Sequence, residues 1–249
     1  MRVGYRDELR KFTQDVLIMS DYVQEMMQTA VDALLNVNLA DAEAVLHKID
    51  QVEELRAKTE AAAFSLLALE APVAGDLRRV VSGIHIVESL ARMGALSVHV
   101  AKLARRRHPE PVVPAELNGY VSEMARLSVS SCSKIHDILV SMDVEKALEL
   151  AIDDDAIDDI HHHLFQLTTQ REWEHPVYTA VDITLLSRFL ERFSDHAVDI
   201  AARVVYMDTG MQPEEYEIAQ RSQEQQSTLR EQFSEISRRY SDIYDDETN

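Results

Sequence analysis

The sequence predicts an all-α protein: six long helices in up-down order, forming two tandem and similar three-helix bundles, followed by a C-terminal, helical extension. Three observations carry this. The chain of 249 residues has only 6 Gly and 6 Pro, so turns are few and the elements between them long. Apolar residues recur at intervals of three and four over long stretches. One helical stretch also occurs twice. Leu190-Glu191-Arg192-Phe193-Ser194-Asp195-His196-Ala197-Val198-Asp199-Ile200-Ala201 is echoed by Leu90-Ala91-Arg92-Met93-Gly94-Ala95-Leu96-Ser97-Val98-His99-Val100-Ala101, at a constant offset of 100 residues.

A first helix is predicted over about Arg6–Leu35, from Leu9, Phe12, Val16, Met19, Val23, Met26, Met27, Ala30 and Leu34. Asn36-Val37-Asn38 breaks the pattern. The second helix follows over about Ala40–Leu69, and Pro72 marks the corner into a third that ends near Arg107. Pro109, Pro111 and Pro114 form a linker, because three prolines so close together cannot continue a helix. The plan then repeats. Helices are expected over about Ala115–Val140 and Val144–Arg171, with Asp143 as a cap, and over about Tyr178–Met207, stopped at Asp208-Thr209-Gly210. Asp50-Gln51-Val52-Glu53-Glu54-Leu55 matches Asp155-Ala156-Ile157-Asp158-Asp159-Ile160 at an offset of 105. The repeats are therefore placed at 1–108 and 115–210, joined by the linker 109–114. In the extension, 211–249, Leu229, Phe233, Ile236, Tyr240 and Ile243 make a narrow apolar stripe, read as a docking helix or a solvated extension.

Composition narrows the function. A hydrophobic content of 46% is enough for a sizeable core. A net charge of −19 argues against general nucleic-acid affinity, since nothing offsets repulsion from phosphates, and favours cationic partners. Cys132 is the only cysteine, which excludes a disulfide framework and fits a reducing, cytosolic setting. The start of the chain lacks the apolar core of a signal peptide, and no run is long and apolar enough to cross a bilayer. Direct membrane insertion is not expected.

Glu191, Asp195 and Asp199 recur every four residues and so share one helical face, where like charges repel. Asp155 and Asp159 form a second acidic ladder on the preceding helix. Together these five are the candidate metal ligands: an oxygen-rich set suited to iron, manganese, magnesium or calcium. His162 or His163 would add nitrogen and draw the site towards iron or zinc. The alternative is a pair of solvated faces on which Arg188 or Arg192 neutralises the acids. In the first repeat Ala91, Ala95 and His99 replace Glu191, Asp195 and Asp199. The scaffold is repeated and the carboxylates are not. Arg105-Arg106-Arg107, at a helix C-terminus, complements the helix dipole and is the candidate partner-binding patch. Glu172-Trp173-Glu174-His175 contains one Glu-x-x-His where diiron bundles need two, and is discounted. No nucleophile–base set or Gly-rich phosphate loop is visible, so no catalytic residue is assigned.

The twinned motif, with Ala71-Pro72-Val73-Ala74-Gly75-Asp76-Leu77-Arg78 at the start of the third helix, resembles the repeat signature of the PhoU family. The resemblance covers about residues 5–207. Arg92-Met93-Gly94-Ala95-Leu96, the stretch from Ala101 to Pro109 and Asn118-Gly119-Tyr120 are similar to the family's actinobacterial branch. The resemblance implies a cytoplasmic, non-enzymatic regulator. It would couple a high-affinity phosphate ABC transporter, through its ATPase, to a membrane sensor histidine kinase, and suppress the phosphate-starvation response. It also implies a homodimer, and iron or zinc held on Glu/Asp-x-x-x-Asp motifs. Here the second-repeat motif maps to Glu191 and Asp195, and the first falls on Ala91 and Ala95, which cannot ligate. The rival from another class is a metal-dependent helical-bundle oxidase or metal store.

Overall fold

Capping side chains and one glycine mark several helix ends, whereas Val37 after the first helix and Met142 after the fourth take positive φ values without being glycine. The computed structural model describes residues 2–70 and 72–246, and the side chains of these except Arg2, Val3, Glu70, Ile152, Asp153 and residues 232–246. Among the residues named above, Ala71 and the side chains of the tail's Phe233, Ile236, Tyr240 and Ile243 lie outside what is described. The helices are α1 (Arg2–Leu35), α2 (Leu39–Glu70), α3 (Gly75–Arg107), α4 (Asn118–Ser141), α5 (Val144–Thr169), α6 (Val177–Thr209) and α7 (Pro213–Asp246), with a 3-10 turn at Ala115–Leu117 before α4. No strand occurs among the described residues. Asn38 caps α2, its side-chain oxygen accepting from the backbone N–H of Ala40 at 3.0 Å. Asp143 caps α5, accepting from the N–H of Glu145 at 3.1 Å and of Lys146 at 3.2 Å. Gly210 closes α6 with a φ of 77°, a left-handed geometry that glycine adopts without steric cost. The extension is helical.

The two repeats superimpose in their burial pattern. On α3, Ile86, Leu90, Met93, Val100 and Ala101 are buried, as are Leu186, Leu190, Phe193, Ile200 and Ala201 at the same offset of 100 on α6. On α2 and α5 the offset of 105 pairs buried Ala42, Val45 and Val52 with Ala147, Leu150 and Ile157. Within each repeat the three helices all touch one another. Between repeats α3 packs on α6 and α1 on α4, so residues through Gly210 form one compact unit. Residues from Met211 onward form a second unit, made of α7.

α3 and α6 run antiparallel. The His99 ring stacks on Phe189 at 4.9 Å between centroids, and Arg106 and Arg107 near the end of α3 reach Asp182 near the start of α6. The α1–α2 contact includes one buried acid: Lys58 donates to Asp15 at 2.7 Å. Cys132 is buried in α4, and burial pushes its thiol far above the usual range, so it packs rather than reacts. Asp143→Ala removes the cap of α5 and is expected to lower stability by about 1 kcal/mol, with Asp143→Asn close to neutral; denaturant melts of the three proteins check this.

Candidate functional site

The core line of α5 decides which of its acids can act together. Leu150, Ile157 and Leu164 are buried, and Asp154 and His161 fall between them in the same line at spacings of four and three. That line turns Asp154 towards α6. One carboxylate oxygen from each of Asp154, Asp158 and Asp195 lies within 4.8 Å of the others. Of the sequence-predicted ligands, Asp195 is therefore in the cluster. Asp154 is half-buried, and Asp158 and Asp195 are exposed; Asp155 and Asp159, also exposed, lie outside the group, so the clustered acids of α5 fall one residue earlier than predicted. Asp199 is also exposed and faces His196, with Nδ1 to Oδ2 at 3.5 Å. Glu191 flanks the cluster, one helical turn before Asp195, and accepts a hydrogen bond from Arg188.

Burial and mutual repulsion strain this group. Burial pushes the Asp154 carboxyl above the usual range; a hydrogen bond with Ser194 opposes the shift, and Asp158, Asp195 and Asp155 add to it. The Glu191 carboxyl is raised by burial and then by Asp195, and these outweigh the opposing charge of Arg188. Asp195 is raised by burial and by Asp158, against the opposing pull of Arg188 and His196. Oδ1 of Asp154 and Oε2 of Glu191 are buried with no hydrogen-bond partner. Buried orphan oxygens are costly. These residues fit a cation that prefers oxygen ligands, because the donors are all carboxylates and Asp154 and Glu191 each keep one oxygen without a partner. The histidines do not join them. His161 Nδ1 pairs with the Ser187 hydroxyl at 2.9 Å, His162 accepts from Gln166 at 2.8 Å and the His163 ring lies against Tyr120. A nitrogen-containing, zinc-like donor set is thus not assembled here.

In the first repeat the equivalent positions carry Ile49, Glu53, Ala91 and Ala95. The only acid left is Glu53, and Arg56 donates to it at 2.8 Å.

The arginine triad has a use that the sequence reading missed. Arg106 and Arg107 both bond the carboxylate of Asp182, whose side chain is 3% exposed, and the Arg107 guanidinium lies 4.0 Å from the centre of the Tyr178 ring. Arg105 sits 3.5 Å from Glu43. Arg105, Arg106 and Arg107, read from the sequence as a candidate partner-binding patch, have partners within the chain: two of the three form a latch between repeats. The reason is desolvation, since a buried carboxylate is retained only where charge-assisted hydrogen bonds satisfy it. A sequence signal existed. Asp182 lies in line with Ile183 and Leu186 on the buried face, where the first repeat has Ser82. His175, of the discounted Glu-x-x-His, pairs with Glu116 at the surface instead.

Two tandem three-helix repeats, sharing an antiparallel helix pair and carrying one acidic cluster, define a class of helical-bundle proteins with internal repeats. Comparison with known proteins names it. The family model described as "PhoU domain" matches residues 16–104 and 121–204, one match per repeat and neither reaching α7. The "Phosphate-specific transport system accessory protein PhoU homolog 2" of Mycobacterium tuberculosis is 47% identical over 213 residues, spanning 86% of this chain and 100% of the relative. The "PhoU homolog 1" of Mycobacterium leprae is 46% identical over 215 residues, covering 86% and 97% of the two chains. The crystal structure of PhoU from Pseudomonas aeruginosa superimposes with a TM-score of 0.77 at 24% identity, over 83% of this chain and 100% of that one, which supports the fold. The chain belongs to the PhoU family.

Two predictions follow from the site's electrostatics. Folding raises the pKa values of Asp154, Glu191 and Asp195, so these groups stabilise the fold at low pH, and that stability is lost as pH rises through the raised values. Thermal melts between about pH 4 and 8 are expected to show Asp195→Asn melting above wild type at neutral pH, with the difference narrowing on acidification. At the latch, Arg106→Ala with Arg107→Ala leaves Asp182 buried and unpaired and is expected to cost about 3 kcal/mol. Asp182→Ser, which installs the first repeat's residue, frees two partly exposed arginines to meet water and costs less; chemical denaturation compares the two.

Proposed function

We propose that this protein is a regulatory accessory subunit of a phosphate-specific transport system, acting in the cytoplasm without catalysis of its own. The observation that carries the reading is the match of both repeats to the PhoU family, together with relatives named as accessory proteins of phosphate-specific transport. No described helix is long and apolar enough to cross a membrane, so contact with a transporter would run through its soluble ATPase. The adaptor would bind that ATPase and a membrane sensor histidine kinase, as a homodimer, and hold the starvation response off while phosphate is plentiful. For such a switch the two transporter states must bind the adaptor with different affinity.

The acidic cluster adds a candidate cofactor to this reading. Asp154, Asp158 and Asp195 would hold a divalent cation such as iron, manganese, magnesium or calcium, with Glu191 beside them. The all-oxygen donor set favours these over zinc. When bound, the cation would neutralise charges that otherwise repel one another across the α5–α6 contact. The residues would in turn orient α5 against α6, Asp154 keeping its hydrogen bond with Ser194 and Glu191 its pairing with Arg188. The metal-store or oxidase reading rests on the same cluster but predicts redox turnover by the purified, metal-loaded protein.

Deletion of the gene is expected to switch on phosphate-starvation genes in phosphate-rich medium, and the intact gene to restore silence. Transcript levels unchanged by deletion, in a strain with no second family member, would overturn the regulator reading. Complementation with Asp195→Asn then reads whether the cluster contributes to signalling.

A further inference from the structure

The two repeats differ most at the two ends of the α3–α6 pair. At one end Asp182 and the arginines close the structure. The other end is open: α1, α3, α4 and α6 enclose a cavity of about 260 Å³. Its walls include Phe12, Val16, Ile86, Leu139 and Met207, and no carboxylate lines it. The two repeats carry different residues at this end. The residue equivalent to Gly83 in the second repeat is Ile183, which is fully buried, and the one equivalent to Met207 in the first is Arg107. Gly83 instead receives the Phe12 ring, which lies 2.4 Å from where a Cβ would stand.

Two polar side chains reach this apolar space. The Thr13 hydroxyl is spent on the carbonyl of Leu9 at 3.0 Å. Arg79 enters no hydrogen bond, ion pair or ring contact among the described residues. An unpaired guanidinium over an apolar cavity complements a molecule with an apolar body and one anionic head. The volume exceeds the roughly 150 Å³ at which a dry apolar cavity takes a benzene-sized guest. It falls short of the roughly 300 to 1,000 Å³ of sites for drug-sized ligands. The unbranched side chains of Met142 and Met207 can adjust to a flexible chain.

We propose that this cavity binds a small amphiphilic carboxylate, with its chain between α1, α3, α4 and α6 and its head on Arg79. The site lies between the two repeats, apart from the acidic cluster, and does not depend on a bound cation. The test is calorimetric titration of the full-length protein with decanoate below its micelle concentration. Saturable binding to one site per chain is expected. Decanol, which lacks the charge, and butyrate, which lacks the chain, are each expected to bind at least tenfold more weakly. Arg79→Gln is expected to weaken decanoate binding at least tenfold. Val140→Trp, which fills the cavity mouth from a position 60% exposed to solvent, is expected to do the same. Both substitutions are at exposed positions, and melting curves confirm that each variant folds. Flat titration of the wild type, decanol binding as well as decanoate, or either folded variant titrating like the wild type overturns the assignment.

Discussion

The antiparallel contact between α3 and α6 is the constraint on which the rest of the molecule depends. Each helix is the most buried element of its own repeat's centre and also the interface with the other repeat, so each must be apolar around most of its circumference. That explains why the duplicated stretch lies on these two helices: both solve the same packing problem, and a buried position admits few side chains. Leu90 and Leu190, or Met93 and Phe193, are interchangeable in volume and place. The α1–α4 contact then closes the second seam between repeats, and α2 and α5 are left to pack each on its own repeat.

Within this shared scaffold the repeats have diverged at positions that the core does not dictate. The second repeat has concentrated carboxylates at α5–α6, where burial and like charge work against folding. The first has Ile49, Ala91 and Ala95 at the same places and has shed that cost. A cluster with raised carboxyl pKa values and two orphan oxygens stores unfavourable electrostatic energy, which a cation of the right chemistry would relieve. The ends of the α3–α6 pair have diverged likewise. Asp182 with its two arginines joins the repeats by charge-assisted bonds at one end, and an open cavity lies at the other.

The fold was legible because helical periodicity, scarce Gly and Pro, and the repeated stretch all follow from local sequence. The caps at Asp143 and Gly210, and the ends of all six bundle helices to within a few residues, could be read for the same reason. The site was less so, for two physical reasons. Asp154 with Asp158 and Asp155 with Asp159 have the same spacing, and only the buried line through Leu150, Ile157 and Leu164 says which pair faces α6. Extending that line through the run of acids would have given the correct register. The partners of Arg106 and Arg107 lie some 75 residues away in sequence, and a basic cluster at a helix end reads as solvent-facing until a buried acid is sought for it. The isolated carboxylate at Asp182, inside an apolar line, was that acid. Glu191 stands outside the tight group and is paired with Arg188, one turn before it.

The proposed cation site is the acidic cluster of Asp154, Asp158 and Asp195 on the second repeat. The most direct measurement is anomalous diffraction from crystals of the purified protein soaked in manganese. An anomalous peak is expected among Asp154, Asp158 and Asp195 and none beside Glu53 and Ala95. No peak at the α5–α6 cluster at saturating manganese, or an equal peak on each repeat, would contradict it.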